Sequence, residues 1–595
     1  MAEIEPISGT GATPGESGPV ATAPVEATAV SGGGPPSTPA ARPKGLVRWG
    51  VALLALAVMI GVVSVAVAFL AAGAGSSVVQ GWLPKTTVAY LEIRADLPGD
   101  QRAKVGAILA RFPGFADQAS LDAKIDEALD RILEGAGVRW TADVKPWLGG
   151  EVGLAVTPAA LDLASMRGIE AKDLGTAPDD GAVLLVAVKD GAAATAWVSK
   201  QLGGTQTTEP YAGGEITIVS GLLQSNMAFA VRGNVMILGP EKAVKASLDT
   251  AGASTFAASD SFVAARKTAP TAYFGFGYVD LKAFVDASLA AAGDQAGLSP
   301  ACLDQAVGMV PAWAAGSARV EDDALVFEAS SPATGDATST TKGTSSAVAS
   351  HLPPTTLAAI EVRDFGAGVV AGLEALKKQL ACDPSTAALV DQVEQALGAV
   401  GGAESLVGWA GDAALAVEFA GGSFGGGLAA IVTDDAAAGR TLDQVQALLA
   451  LGGAGAGITS RREAYGAGEL LVVTIPSEAA GADVPEIAVT VQGGVFALGT
   501  IDFVKSVVDT SANSSLATTD AYERAISAAG GDGITDVFVD IATLRTAVET
   551  MIPAGEKARY ETEIKPFLVP FEAFASVVEA PAATNVSRAV ITFTK

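Results

Sequence analysis

The segment LPKTTVAYLEIRADL at 83–97 returns as LPPTTLAAIEVRDFG at 352–366, so Leu83, Pro84, Thr86, Thr87, Glu92 and Arg94 recur as Leu352, Pro353, Thr355, Thr356, Glu361 and Arg363. Later segments repeat in the same order. WLGGEVGLAV at 147–156 answers GWAGDAALAV at 408–417, VRGNVMILGPEKAVKASLDT at 231–250 answers VQGGVFALGTIDFVKSVVDT at 491–510, and YVDLKAFV at 278–285 answers FVDIATLR at 538–545. A copy of roughly 250 residues is too large for one unit of a solenoid. The chain is therefore read as two tandem domains, 78–330 and 347–595, joined by the small polar linker 331–346.

Within the first copy, the runs VAYLEI, VGLAV, AVLLVAV, ITIV, MAFAV and VMIL are short and apolar or alternating, which predicts strands. AKIDEALDRIL and AAATAWVSKQL carry helical spacing instead. Several strands follow one another across brief glycine-containing breaks, as in GEITIVSG, NMAFAVRG and NVMILG, so antiparallel meanders with helices on one face are expected. The fold class is α+β: a disordered N-terminal tail, one transmembrane helix, and two duplicated α+β domains with largely antiparallel sheets.

Residues 1–45 hold eight prolines, eight glycines and no aromatic residue, too little apolar surface to offset the entropy of ordering. From Trp49 to Ala72 there are 24 residues without a charge, and as a helix they span roughly 36 Å, enough to cross a bilayer. A cleaved signal peptide has a shorter apolar core and a shorter lead, so 46–73 is read as an uncleaved signal anchor. Arg42, Lys44 and Arg48 crowd its N-terminal flank and the next basic residue is Lys85, which places the tail in the cytoplasm and the rest outside a plasma membrane crossed once. Beyond residue 48 there are 61 acidic and 35 basic residues, a net charge of −26. Such a surface repels anionic lipid headgroups and makes nucleic acid an unsuitable partner.

The chain has one histidine, His351, which excludes multi-histidine metal sites and leaves one position for any Ser-His-Asp or Cys-His machinery. It aligns with Trp82 at a strand start and is not expected to be catalytic. Nucleophile-elbow, Walker and complete Rossmann patterns are absent, and the glycine run GGSFGGGLAA at 421–430 is read as a flexible turn. Cys302 and Cys382 are the only thiols and occupy non-equivalent positions, so a disulfide between them would tie the two copies together. No metal or cofactor is expected: the EF-hand pattern is missing, and VEDDALVFE at 320–328 reads as two strands joined at an acidic turn.

The carboxylates divide by position. Asp280 and Asp540 precede helical segments as N-caps, and Asp249 and Asp509 belong near helix ends. Glu92 with Arg94, and Glu361 with Arg363, lie two residues apart on strands and so share a face. A solvated salt bridge or strand-edge contact is the leading reading of these pairs, with ligand or partner contact as the alternative. Glu151 and Asp412 each follow a glycine and could sit in a cleft.

The opening Leu83-Pro-x-x-Thr87, the following YLEIRADLPGD and the segment RFPGFADQASLDAKIDEALDRIL at 111–133 resemble the membrane-anchored, often actinobacterial family called domain of unknown function three-three-five-two. The resemblance covers essentially the whole ectodomain. It implies an envelope location and carries no catalytic residue. The expected function is non-enzymatic: a single-pass anchor presenting two domains that bind an envelope protein, a lipid or a glycan. The alternative is a carboxylate-dependent hydrolase of envelope glycans using acids such as Glu151 or Asp412.

Overall fold

The computed structural model describes residues 77–595 except 118–120, 135–136, 159–180, 222–225, 293–299, 335–342, 383–389, 453–456, 477–485 and a few single positions. The expected tail (1–45) and anchor (46–73) lie outside the described residues. Among the described residues no helix is long and apolar enough to cross a membrane. All of them fall within the unit Met59–Lys595.

Ten strands form in the first half: β1 (Ala89–Arg94), β2 (Leu148–Val156), β3 (Ala182–Val188), β4 (Thr205–Tyr211), β5 (Gly214–Ser220), β6 (Met227–Arg232), β7 (Val235–Pro240), β8 (Gly275–Asp280), β9 (Trp313–Glu321) and β10 (Ala324–Pro332). Ten more follow: β11 (Thr356–Val362), β12 (Ala410–Ala420), β13 (Ser423–Val432), β14 (Thr459–Tyr465), β15 (Gly468–Thr474), β16 (Ile487–Gln492), β17 (Val495–Thr500), β18 (Thr535–Asp540), β19 (Phe571–Val578) and β20 (Thr584–Phe593). Among the described strands, all pairings are antiparallel. Across the first half the order is β4-β5-β6-β7-β3-β2-β1-β8-β9-β10. Strand β10 then pairs with β20, and the second half runs β20-β19-β18-β11-β12-β13-β17-β16-β15-β14. The two orders are mirror images about the β10–β20 seam, so one twenty-stranded sheet runs through both copies. Ser331 and Pro332, placed in the linker by composition, are the last residues of β10 and pair with Asn585 and Thr584.

First-half helices are α1 (Gln101–Leu109), α2 (Leu121–Glu134), α3 (Gly191–Leu202), α4 (Glu241–Leu248), α5 (Asp260–Thr268), α6 (Leu281–Ala292) and α7 (Pro300–Gly308). They cover both faces, not one. Val183, Leu185, Ile216 and Ile237 pack with Val244 and Leu248 of α4 and Phe262 of α5. The alternate residues Val186 and Val188 pack with Val105 of α1, Ile125 and Leu129 of α2 and Val198 of α3 on the other side. The reason is visible in AVLLVAV: an unbroken apolar strand has both faces sealed, whereas alternation marks a half-solvated one. Helix α2 shows the i, i+4 stripe Leu121, Ile125, Leu129 that fixes its buried side.

The acidic turn between β9 and β10 is formed by Asp322 and Asp323, with Asp322 at φ 44°. The glycine run 421–430 is a turn only at Gly421 and Gly422, and the rest belongs to β13. Its glycines are steric: a Cβ at Gly427 would lie 2.0 Å from the Leu498 carbonyl oxygen of β17. Asp280 caps α6 by accepting the Ala283 N–H at 2.9 Å, and Asp540 accepts that of Thr543 at 2.7 Å. Cys302 on α7 is disulfide-bonded to Cys382, just past the helix Phe365–Leu380 of the second half.

Candidate functional site

Alternation on β1 sends Tyr90, Glu92 and Arg94 to the face covered by α4 and α5. Strand β2 puts Glu151 opposite Arg94 in register, so both side chains stand on that face. Glu92 is fully buried and saturated with donors: the hydroxyls of Tyr90 and Tyr273 reach it at 2.7 and 2.6 Å, and the Gln80 amide at 2.7 Å. Glu151 accepts the Ser77 hydroxyl and, at 2.9 Å, the Val78 N–H. Burial, reinforced by the neighbouring Glu92 charge, pushes the Glu151 carboxyl up to about 7. Burial next to Glu92 also lifts the Tyr90 and Tyr273 phenols well above their usual range.

The second half builds the same site differently. Glu361 is fully buried, and the Tyr522 hydroxyl lies 3.0 Å from each of its oxygens. Burial first, and the Asp536 charge in addition, push its carboxyl up to about 7 against the lowering hydrogen bond from Ser346. Arg363 donates to Asp536 and to the Thr344 carbonyl at 2.9 Å, with its other nitrogen 4.0 Å from Glu361. Asp412 accepts the N–H of Ala347 at 3.0 Å and that of Asp364 at 3.2 Å.

The solvated or strand-edge pair expected for Glu92 with Arg94 and Glu361 with Arg363 is therefore corrected. All four are 0–4% exposed, and β1 and β11 have hydrogen-bonded neighbours on both sides. Tyrosine hydroxyls and an acid partner make this burial tolerable. Glu151 and Asp412, expected in a cleft, hold main-chain N–H groups of equivalent segments, Val78 and Ala347, and so pin the chain ahead of each Leu-Pro motif to the sheet. They belong to different halves and do not meet in one cluster. His351 follows the turn Val348–Ser350, where burial lowers its imidazole below the ordinary range.

The sequence reading missed Tyr90, Tyr273, Gln80, Tyr522 and Asp536. Tyr90 was within reach, since period 2 groups it with Glu92 and Arg94. Tyr273 and Asp536 are 181 and 175 residues from the glutamates they adjoin, and no local pattern links them. Among the described residues, no three His, Cys, Asp or Glu side chains group as a metal site.

Beside this cluster, Ser77, Gln80 and Arg94 face Arg266, Lys267 and Thr271 across a cleft of about 610 Å³. The other sheet face is left open near the strand centres. There Leu238, Leu184, Leu154 and Leu91 form a row across β7, β3, β2 and β1, continued by Gly277 of β8 and Gly316 of β9. The second half repeats the row with Leu498, Leu428, Leu415 and Ile360. Leu91 is 49% exposed, Ile360 46% and Leu415 57%, large values for apolar side chains at the middle of a sheet. Leu91, Gly277, Gly316 and Phe327 border a trough of about 360 Å³ whose lining is almost wholly apolar.

Residues 51–591 match the family described as Protein of unknown function (DUF3352). The chain belongs to this family. No curated protein matches it. Two solved structures show a slight likeness to it: crystal form I of TP0453, at 10% identity over 45% of this chain and 82% of that one, has a TM-score of 0.22. Crystal form III, at 10% identity over 45% and 83%, has a TM-score of 0.20. Similarity this low says nothing further about this DUF3352 chain.

Proposed function

We propose that this DUF3352 protein is a membrane-anchored, extracytoplasmic binding protein of the cell envelope. It catalyses no reaction, and its open sheet face holds the hydrocarbon chain of an envelope lipid. The observation that carries this reading is the apolar row repeated in both halves and exposed at Leu91 and Leu154 in the first and at Ile360, Leu415 and Leu498 in the second. Each strand of the trough floor is paired on both sides, so its main chain offers no hydrogen bonds to an added polypeptide strand. A hydrocarbon needs none. Glycines at 277 and 316 let it approach the backbone, and each methylene buried contributes about 0.8 kcal/mol. The anchor read from Trp49–Ala72 supports a position beside the source of such chains. The glycan-hydrolase alternative has less support, because Glu151 and Asp412 are committed to main-chain N–H groups in separate halves.

The test is titration of the protein with a fluorescent polyene fatty acid. Saturable binding is expected, weakened at least tenfold by Leu91→Asp combined with Leu415→Asp, two positions whose side chains are about half exposed. Absence of binding, or binding indifferent to both substitutions, overturns the lipid reading.

A further inference from the structure

The apolar stretch read as an anchor ends at Ala72, and the described fold begins at Ser77. These residues are five apart, and a fully extended chain of that length reaches at most about 18 Å. Several ångströms of that reach are taken up by the headgroup layer. Ser77 is itself fastened to the sheet: its hydroxyl and, at 2.9 Å, the Val78 N–H both donate to Glu151 of β2. The short connection therefore keeps one region of the first half, the surroundings of Ser77, close to the bilayer.

Those surroundings are the C-terminal end of α5. Ser77, Val263, Arg266, Lys267 and Thr271 line one concavity, and no carboxylate is among its described lining residues. Lys267 is exposed. Arg266 is half-buried, with its guanidinium carbon 4.4 Å from the Tyr273 ring centre and 5.1 Å from that of Phe276. Among the described residues no carboxylate pairs with either cation. Arg94 lies at the floor, 4% exposed and opposite Glu151 in register, and adds nothing to the outer charge. Two such cations beside the attachment point are the reverse of what a chain with a net charge of −26 beyond residue 48 offers elsewhere.

The second half is entered from β10 and has no anchor ahead of it. With the offset of 260 that relates α5 to the helix Asp520–Ala528, Arg266 corresponds to Ile526 and Lys267 to Ser527. The one cation of that helix, Arg524, is paired with Glu572. Outward-facing cations at this place thus belong to the copy that follows the anchor.

We infer that the first half docks on the bilayer by this face, with Arg266 and Lys267 against the anionic headgroups of the leaflet from which the anchor emerges. Docking requires the anchor of the reading above and is independent of what the trough holds. Two cations hold a membrane only weakly from free solution, but a connection of five residues makes the contact intramolecular and raises the effective concentration of headgroups. The acidic remainder acts in the same direction, because its repulsion turns the cationic face inward. The trough lies on the other sheet face, so docking leaves it uncovered.

The test places the full chain in phosphatidylcholine vesicles with and without phosphatidylglycerol, each containing a nitroxide-headgroup lipid. A fluorophore is attached at Thr271→Cys, on the rim of this face, or at Ser460→Cys on β14, at the far edge of the sheet. The native cysteines are bonded to each other and do not compete for the label. Quenching is expected to be strong at Thr271→Cys and weak at Ser460→Cys, and to fall at Thr271→Cys when phosphatidylglycerol is left out. Arg266→Gln with Lys267→Gln should lower the ratio of docked to undocked protein on the order of tenfold. Lys267→Gln alone, at an exposed position, should give part of that loss. Equal quenching at the two labels, or quenching at Thr271→Cys indifferent to phosphatidylglycerol and to both substitutions, overturns the docking and leaves the anchor standing. Release of the chain from the vesicles by alkaline carbonate overturns the anchor, and the docking with it.

Discussion

Glu361 is buried without an equal and opposite charge in hydrogen-bond contact, and its carboxyl is pushed up to about 7 from an ordinary 4.5. Between those values the folded chain keeps a proton that the unfolded chain has released, so stability falls as pH rises through that window. Above about 7 the loss is complete, and it amounts to up to about 3 kcal/mol for a shift of this size. Glu151 acts in the same direction over the same window. Urea midpoints should therefore drop between pH 5 and pH 8, and Glu361→Gln, which keeps a partner for Tyr522, should flatten the decline; equal slopes in both proteins would refute this account. Arg363 and Asp536 make the complementary case. Arg363→Met removes the cation paired with the buried Asp536 carboxylate and should cost about 3–5 kcal/mol. Adding Asp536→Phe, the residue of the first half at that position, should recover most of the loss, and a double-mutant cycle measures the recovery. The recurrence of Glu and Arg two residues apart was legible in the sequence. Their burial was not, because it depends on tyrosines more than 150 positions away and on strands that arrive from both sides.

At the scale of elements, strands and helices with a clear period were legible: β1, β3, β5, β6 and β7 fall on the apolar runs, and α2 and α3 on the helical ones. The misreadings have specific causes. The glycines of β13 looked like a turn because their function is to let β17 approach, a contact invisible within ten residues of sequence. Helices on one face follow from an alternating strand, whereas the continuous apolar run of β3 needs a cover on both of its faces. The bond between Cys302 and Cys382 joins a helix end in each half and spans 80 residues of chain. By loop entropy alone such a bond stabilises by up to about 4 kcal/mol, with less delivered where the unfolded chain keeps structure. Reduction, or Cys302→Ala with Cys382→Ala, should lower the denaturation midpoint accordingly. An unchanged midpoint would mean that the β10–β20 seam already fixes these ends together.

The whole molecule turns on that seam. From β6 to β10, residues at the same place in each copy differ by 260 in number, and the register puts Glu328 opposite Arg588, its own counterpart. An approximate two-fold axis therefore passes between these two side chains. Around a true two-fold axis identical residues would face each other, and like charges directly opposite are destabilising. Here the copies differ at the one pair where difference matters most: Arg588 donates to Glu328 from Nε at 3.1 Å and from Nη2 at 3.0 Å, while Arg319 reaches the same oxygen at 3.2 Å. A fused chain can carry opposite charges at the axis, whereas two identical copies cannot. Arg588→Gln removes the charge-assisted bonds and should cost about 2 kcal/mol, since Arg319 still partners Glu328. Arg588→Glu restores the symmetric arrangement, two carboxylates face to face in a partly buried strand pair, and should cost clearly more. Calorimetry on the three proteins decides the matter. If the seam couples the halves, the parent chain should unfold in one transition and Arg588→Glu should separate it into two, because each half would then lose its neighbour before losing its own core. A single transition shifted equally by Gln and Glu would show that the axis charge is incidental and that apolar neighbours such as Val326 and Val590, both fully buried, hold the sheet together.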